Sequence, residues 1–410
     1  MSYDAYARRI LASGILSDPW IDGAPRFREE PYIVSAALAR ELRVAAEEVS
    51  AVYNELCLLV ADEPRFLDDF FALTPWQKAM WTASAPLWHG LARADVFVTS
   101  DGLAFTELNC DTPTGEAEAV VLGRLGKEDR PDLVNANADL ETRFVALVDA
   151  LRVSELDADA PGAIGLVYPT EFTEDLSLVR LYRQWFESRG HEVVLGSPYN
   201  LTADERTTTL FETPVGVVLR HYKTDWWGER QSVWDDDDVT DTEPLAGPLQ
   251  ALFTGMASGR ATTINPFGSV IPQNKRAMAF FWEHLHRFSA RSQQVIERYI
   301  PLTQRLETMH EQQLVVQQRD WVLKSDYGAE GDEVIVGKHV TPSHWAASLA
   351  HARPGRWIAR RFFEATPIDE AGSIVNHGVF VVAGQASGIY GRIQVGPTDE
   401  HALSAPVLIA

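Results

Sequence analysis

Only two cysteines, Cys57 and Cys110, occur in 410 residues, too few for a disulfide framework and without the paired spacing of a zinc site. No stretch approaches the ~18 consecutive apolar residues that cross a bilayer. The N-terminal MSYDAYARRILASGIL has early arginines but no continuous apolar run, so no signal peptide is read there and the chain is expected in the cytoplasm. A basic stripe is also missing. Lysine and arginine total 36 against 58 acidic residues, a net charge of −22, which argues against nucleic acid and against an anionic membrane surface. The order GK[ST] of a phosphate-binding P-loop is absent.

What is present is the composition of a globular chain, 46% hydrophobic and 23% charged. Its length calls for two or three packed lobes rather than one core. PYIVSAALARELRVAAEEVSAVYNELCLLVADE repeats apolar residues at three- and four-residue intervals, so the first ninety residues read as mostly helical. The period then drops to two in ADVFVTS and LAFTELN, joined by SDG, a hairpin signal. From 163 to 199 the order strand, amphipathic helix, strand marks a βαβ unit and a parallel sheet. The last fifty residues are strand-rich with glycine turns, giving a multi-lobed α/β protein. WDDDDVTDTEPLAG, with acidic residues at 235–238, reads as a solvated loop; attraction of a polycationic amine is the second reading.

Three segments carry chemistry. In ARADVFVTSDGLAFTELNCDTPTGEAEA, Asp95 falls on one strand and Glu107 and Asn109 on the next. Period-two spacing puts Glu107 and Asn109 on one face, and a hairpin brings Asp95 across from them, an oxygen set that suits a hard cation. Taken by itself, an acidic hairpin is equally a solvated sheet edge. Arg93 shares the face of Asp95, as a guanidinium would beside phosphate. The turn DTPTGEAEA leads into a helix, whose free N–H groups receive anions. The second segment, VLKSDYGAEGDEVIV, ends a strand on Lys324 and returns through Gly328 and Gly331, which let backbone N–H groups approach phosphate. The third places Lys275 at a helix start in PQNKRAMAFFWE. Each segment alone is also what an ordinary hairpin or solvated lysine looks like. Together they form a set that would hold a nucleoside triphosphate. Cys110, His89, His221 and His377 read as structural residues, and no general base stands out.

This set resembles the glutathionylspermidine synthase-like ATP-grasp ligases. Arg93, Asp95, the gap of twelve to Glu107 and the E-x-N spacing to Asn109 are similar to that family's magnesium segment. QNKRAMAFFWEHL is similar to its Asn-Lys helix start, and WVLKSDYGAEGDEV to its lysine strand and Gly-rich flap. The metal strand precedes the lysines, as in the family's permuted order. The resemblance, from about residue 75 onward, implies an ATP-grasp fold with a Rossmann-like pre-ATP-grasp unit and an antiparallel nucleotide-clamping lobe. It implies that Asp95, Glu107 and Asn109 hold Mg2+, that Lys275 and Lys324 bind ATP phosphates, and that Gly328, Glu330 and Gly331 cover them. Arg93 would stabilise the transferring phosphoryl group, and Thr112 and Thr114 would meet the acceptor carboxylate.

Two departures qualify the resemblance. The amidase domain of some members is missing, so the synthetase part alone is expected. WIARRFFEA, the strand that by the resemblance runs into the adenine hinge, has Arg360 where the family often has Gln, a departure that bears on the adenine contacts. The expected organisation is residues 1–150 for helices plus metal hairpin, 151–260 for the βαβ unit, and 261–410 for the lobe with the lysines. The expected function is an ATP- and Mg2+-dependent carboxylate–amine ligase acting on small molecules through an acyl phosphate. The alternatives are a catalytically silent nucleotide- or partner-binding protein, and an enzyme that phosphorylates without ligation. Substrate identity and oligomeric state are not encoded legibly.

Overall fold

A computed structural model describes residues 2–170, 173, 175–228, 243–327, 334–353, 356–396 and 401–410. The Gly-rich flap residues Gly328, Glu330 and Gly331 and the acidic run 235–238 lie outside the described residues.

Helix α1 (Ala36–Asp62) starts where the Ser35 side chain accepts the Leu38 N–H, satisfying an orphan donor of the first turn. Its buried residues Leu42, Val49, Tyr53, Leu56 and Val60 recur at the spacing of one helix face. That face covers a five-stranded antiparallel sheet, to which the early hairpin belongs: β1 (Leu91–Thr99) and β2 (Gly102–Asn109). After the hairpin come α2 (Glu116–Asp129), then β3 (Ala163–Val167), α3 (Leu176–Glu187), β4 (Val193–Gly196), β5 (Thr213–Arg220) and β6 (Thr262–Ile264). β3 pairs with β4 and β5, and β5 with β6, all parallel. The apolar run AIGLV is buried along its whole length, as a strand covered on both faces must be.

Helix α4 (Arg276–Glu283) precedes a four-stranded antiparallel sheet: β7 (Thr303–Arg305), β8 (Trp321–Ser325), β9 (Val334–Val336) and β10 (Trp357–Arg361), in the order β7-β10-β8-β9. The chain then returns to the first sheet as β11 (Ser373–Val382), β12 (Gln385–Val395) and β13 (Leu403–Ala405), giving the order β13-β12-β11-β1-β2. The early hairpin is thus completed by strands from the far end of the chain. The N-terminal region is less purely helical than its periodicity predicts. Tyr32–Val34 forms a strand parallel to Val407–Ile409, a pairing with no local sequence signal.

Candidate active site

In β1, Ala92, Ala94 and Val96 join the core beneath α1, so Arg93 and Asp95 point to the opposite face. Strict alternation in β2 would put Leu103, Phe105, Glu107 and Asn109 together on one face. A β-bulge prevents this. Asp95 pairs with Glu107 but Val96 pairs with Phe105, so Thr106 is the extra residue. Leu103 and Phe105 thereby enter the core while Glu107 and Asn109 join Arg93 and Asp95. The bulge is held on both sides: the Thr106 hydroxyl donates to the Asp95 carbonyl at 3.2 Å, and Arg360 Nη1 donates to the Thr106 carbonyl at 2.9 Å.

Arg93 lies flat against β11, where Gly378 pairs with Asp95. A Cβ on Gly378 would stand 2.8 Å from Arg93 Cδ, so only glycine leaves the guanidinium room. Arg93 grips Asp95 by two bonds, Nε to Oδ1 at 2.7 Å and Nη2 to Oδ2 at 3.1 Å. Its Nη1 donates to the Thr114 carbonyl at 2.7 Å and faces the Thr114 hydroxyl at 3.5 Å. Asp95 Oδ2 also accepts from Arg392 Nη2 at 3.1 Å and from Asn376 Nδ2 at 3.3 Å. Three of these bonds fall on Oδ2 and one on Oδ1, so Oδ1 keeps acceptor capacity.

Glu107 faces the opposite sheet. Its Oε2 lies 3.5 Å from Lys324 Nζ and 4.0 Å from Lys275 Nζ. Burial acts to raise its pKa, but the charges of Lys324 and then Lys275 outweigh that and hold it well below the usual carboxylate range. Burial lowers Lys324 to about 7, against the pull of Glu107 and with further repulsion from Arg360 and Lys275. Local bonds fix the two lysines relative to each other. The Lys275 N–H donates to the Asp326 carbonyl at 2.8 Å, Asp326 pairs with Arg356 at 2.7 Å, and the Tyr327 hydroxyl donates to the Val270 carbonyl at 2.9 Å.

Five cations, Arg93, Arg392, Lys275, Lys324 and Arg360, thus surround two carboxylates in a chain whose overall charge is strongly negative. The surplus is positive and buried, and the crowding that helps to lower Lys324 to about 7 is what an anionic ligand would relieve. For Mg2+ the donors fit in kind, since Asp95, Glu107 and Asn109 supply only carboxylate and amide oxygens. Glu107 Oε1 and the Asn109 amide are 3.5 Å apart. Among the described residues no cluster of three or more His, Cys, Asp or Glu side chains is placed to hold a metal.

The turn after β2 leads to a narrow cleft at the C-terminal ends of β5 and β6, the end of an open parallel sheet at which ligands are commonly received. Thr112, Pro113, Tyr182, Arg220 and His221 line it. Gln273 Oε1 accepts the N–H groups of Cys110 and Asp111 at 2.9 and 3.0 Å. Asp111 receives Arg220 Nη2 at 2.6 Å, the Thr224 N–H at 2.6 Å and the Ser269 hydroxyl at 2.9 Å. Asn265 spends its whole amide on this junction, accepting from Gly90 and Leu91 and donating to the carbonyls of Leu91 and Asp111.

The sequence matches the family described as glutathionylspermidine synthase preATP-grasp over residues 13–409. The chain belongs to this family. No curated protein matches it at a significant level. Among solved structures it is similar to a glutathione synthetase-like effector from Globodera pallida, at 12% identity and a TM-score of 0.60, covering 100% of this chain and 96% of that one. A putative gamma-glutamylcysteine synthetase from Methylobacillus flagellatus aligns at 13% identity, a TM-score of 0.47 and 85% of each chain. A RimK domain ATP-grasp protein from Sphaerobacter thermophilus aligns at 17% identity and a TM-score of 0.30, over 59% of this chain and 89% of that one. Of these, the first supports a shared fold, a multi-lobed α/β ATP-grasp architecture. Family membership supports a ligase-type function on small molecules, and no helix among the described residues is long and apolar enough to cross a membrane.

Within this glutathionylspermidine synthase family member, Arg93, Asp95, Glu107, Asn109, Lys275 and Lys324 converge from both ends of the chain, and Thr114 joins them through Arg93. Thr112 stands apart, in the cleft. Sequence reasoning missed Arg392 and Asn376, the further partners of Asp95. Their alternation in β12 and β11 was readable, but which face met Asp95 was not.

Proposed function

We propose that the chain is an ATP- and Mg2+-dependent carboxylate–amine ligase that forms an amide through an acyl phosphate. The observation that carries this reading is the meeting of Glu107 with Lys275 and Lys324 beside Asn109, Asp95 and Arg93. Asp95, Glu107 and Asn109 would hold Mg2+, which when bound neutralises phosphate charge and orients it. Asp95 would offer it Oδ1, which accepts one hydrogen bond, rather than Oδ2, which accepts three.

Lys275 and Lys324 bind the phosphates of ATP, and their burial strengthens that attraction. The substrate carboxylate, held at Thr112 and Thr114, attacks the γ-phosphorus as the bond to ADP breaks. Arg93 neutralises the charge developing on the transferred group. An amine then attacks the carbonyl carbon of the acyl phosphate, Arg93 steadies the tetrahedral oxyanion, and inorganic phosphate departs. A deprotonated and positioned amine needs little further help.

The experiment is ADP release from metal-loaded protein over a panel of amino acids, small peptides and polyamines, with mass spectrometry of the products and hydroxylamine to intercept an acyl phosphate. Glu107→Gln should cost roughly 100–1,000-fold in turnover, the scale on which loss of one group that stabilises transition-state charge is felt. Absence of nucleotide turnover with every pair, from folded wild-type protein, sinks the reading.

A further inference from the structure

Arg360 is the one cation of the site with no carboxylate within ion-pairing distance among the described residues. It lies on β10, whose register pairs Val322 with Arg360 and Lys324 with Ile358. Arg360 and Lys324 are therefore diagonal neighbours on one face of the sheet, about 7–8 Å apart at their backbones. Both are buried, at 6% and 7% exposure. Nη1 of Arg360 holds the carbonyl of the bulged Thr106, whereas Nε is buried without a hydrogen-bond partner among the described residues. Burial lowers its pKa to about 10, Glu107 pulling the other way, so it stays charged at neutral pH. A charged donor left without an acceptor in a dry wall is costly. A guanidinium also offers a planar fork that fits phosphate oxygens, which a lysine does not.

We propose that Arg360 is a third polyphosphate-binding cation, anchored through Nη1 to the Thr106 bulge and presenting its remaining N–H groups to phosphate oxygens beside Lys324 and Lys275. The proposal rests on the ligase reading, because it takes the space beside Glu107 as the nucleotide site. It makes Arg360 a binding residue in its own right, where a glutamine could supply an amide but no charge.

Calorimetric titration tests this with MgATP, MgADP, AMP and inorganic tripolyphosphate, on wild type, Arg360→Gln and Arg360→Lys, with thermal melting as the check on folding. Arg360→Gln should weaken tripolyphosphate and MgATP by roughly tenfold or more, the usual worth of a charge-assisted bond, and AMP by no more than about twofold. Arg360→Lys should recover part of the loss. In wild type, the Arg360 Nε–H resonance should shift on adding tripolyphosphate, a readout that survives even if both variants unfold. Unchanged tripolyphosphate affinity in Arg360→Gln, equal losses for AMP and MgATP, or a resonance that does not move would overturn the proposal. Wild-type protein that binds no MgATP would overturn the ligase reading beneath it.

Discussion

The Glu107 carboxylate and the Lys324 ammonium, 217 residues apart in the chain, meet at 3.5 Å. Glu107 also stands 4.0 Å from Lys275, so one carboxylate answers two buried cations.

This arrangement gives Glu107→Gln opposite effects in two conditions. Without metal, the two lysines lose the charge that competes for them, so at a pH well below 7 inorganic tripolyphosphate should bind several-fold more tightly than in wild type. The gain should shrink as pH rises, because Lys324, already lowered to about 7, also loses the carboxylate that holds its proton on. With Mg2+ present the order should reverse, because a metal-holding oxygen is gone. Titration with and without Mg2+ measures both, and the same direction in both conditions would show that Glu107 serves the lysines alone.

A second prediction concerns Gly378. The space above it is filled by Arg93, and a methyl there must displace the Cδ it would meet at 2.8 Å. Gly378→Ala should therefore move the guanidinium off Asp95 and the Thr114 carbonyl. The expected loss is in turnover more than in nucleotide affinity, since Arg93 is assigned to the reacting group rather than to the lysine-bound phosphates. Gly162→Ala, whose new methyl would make an ordinary 3.4 Å contact with Arg152, is the control and should change neither.

The hairpin, the βαβ unit and the strands bearing Lys324 were legible because each is local: period two, a turn dipeptide, a strand–helix–strand rhythm. The face of each hairpin residue was less so. Alternation correctly puts Glu107 and Asn109 together, yet it also puts Phe105 with them, and the bulge at Thr106 that separates apolar from polar has no motif. Long-range partners were invisible for the same reason. Arg392 and Asn376 reach Asp95 only because β11 and β12 return beside β1, an outcome of packing rather than of spacing.

Glu116, the first residue of α2, is fully buried, and burial pushes its carboxyl up to about 8 despite nearby Arg93. The unfolded chain releases that proton near pH 4.5. A folded pKa above the unfolded one gives stability that is complete below about 4.5 and is lost as pH rises towards about 8. Glu116→Gln keeps a neutral group of the same shape. Its melting temperature should match wild type near pH 4.5, exceed it increasingly up to pH 8, and then run parallel. A constant offset across that window would mean that Glu116 is ionised in the folded protein.

The junction between the hairpin and the parallel sheet supplies the last prediction. Asp111 holds Arg220 at 2.6 Å with both groups nearly free of solvent, and Arg220 also donates to the Tyr222 and Asn265 carbonyls. Burial acts to raise the Asp111 pKa, and the Arg220 charge together with the Thr224 bonds brings it below its ordinary value instead. Removing one member strands the other charge in the interior, which typically costs about 3–5 kcal/mol. Asp111→Asn should therefore destabilise by several kcal/mol in denaturant unfolding, and so should Arg220→Met. The double variant should recover part of the sum, because neither charge is then left alone. Thr112 and the cleft hang from this junction, so the surviving folded Asp111→Asn protein should bind MgATP normally while losing substrate-dependent ADP release. Equal loss of both would mean that the ion pair supports the whole molecule rather than the turn that carries Thr112.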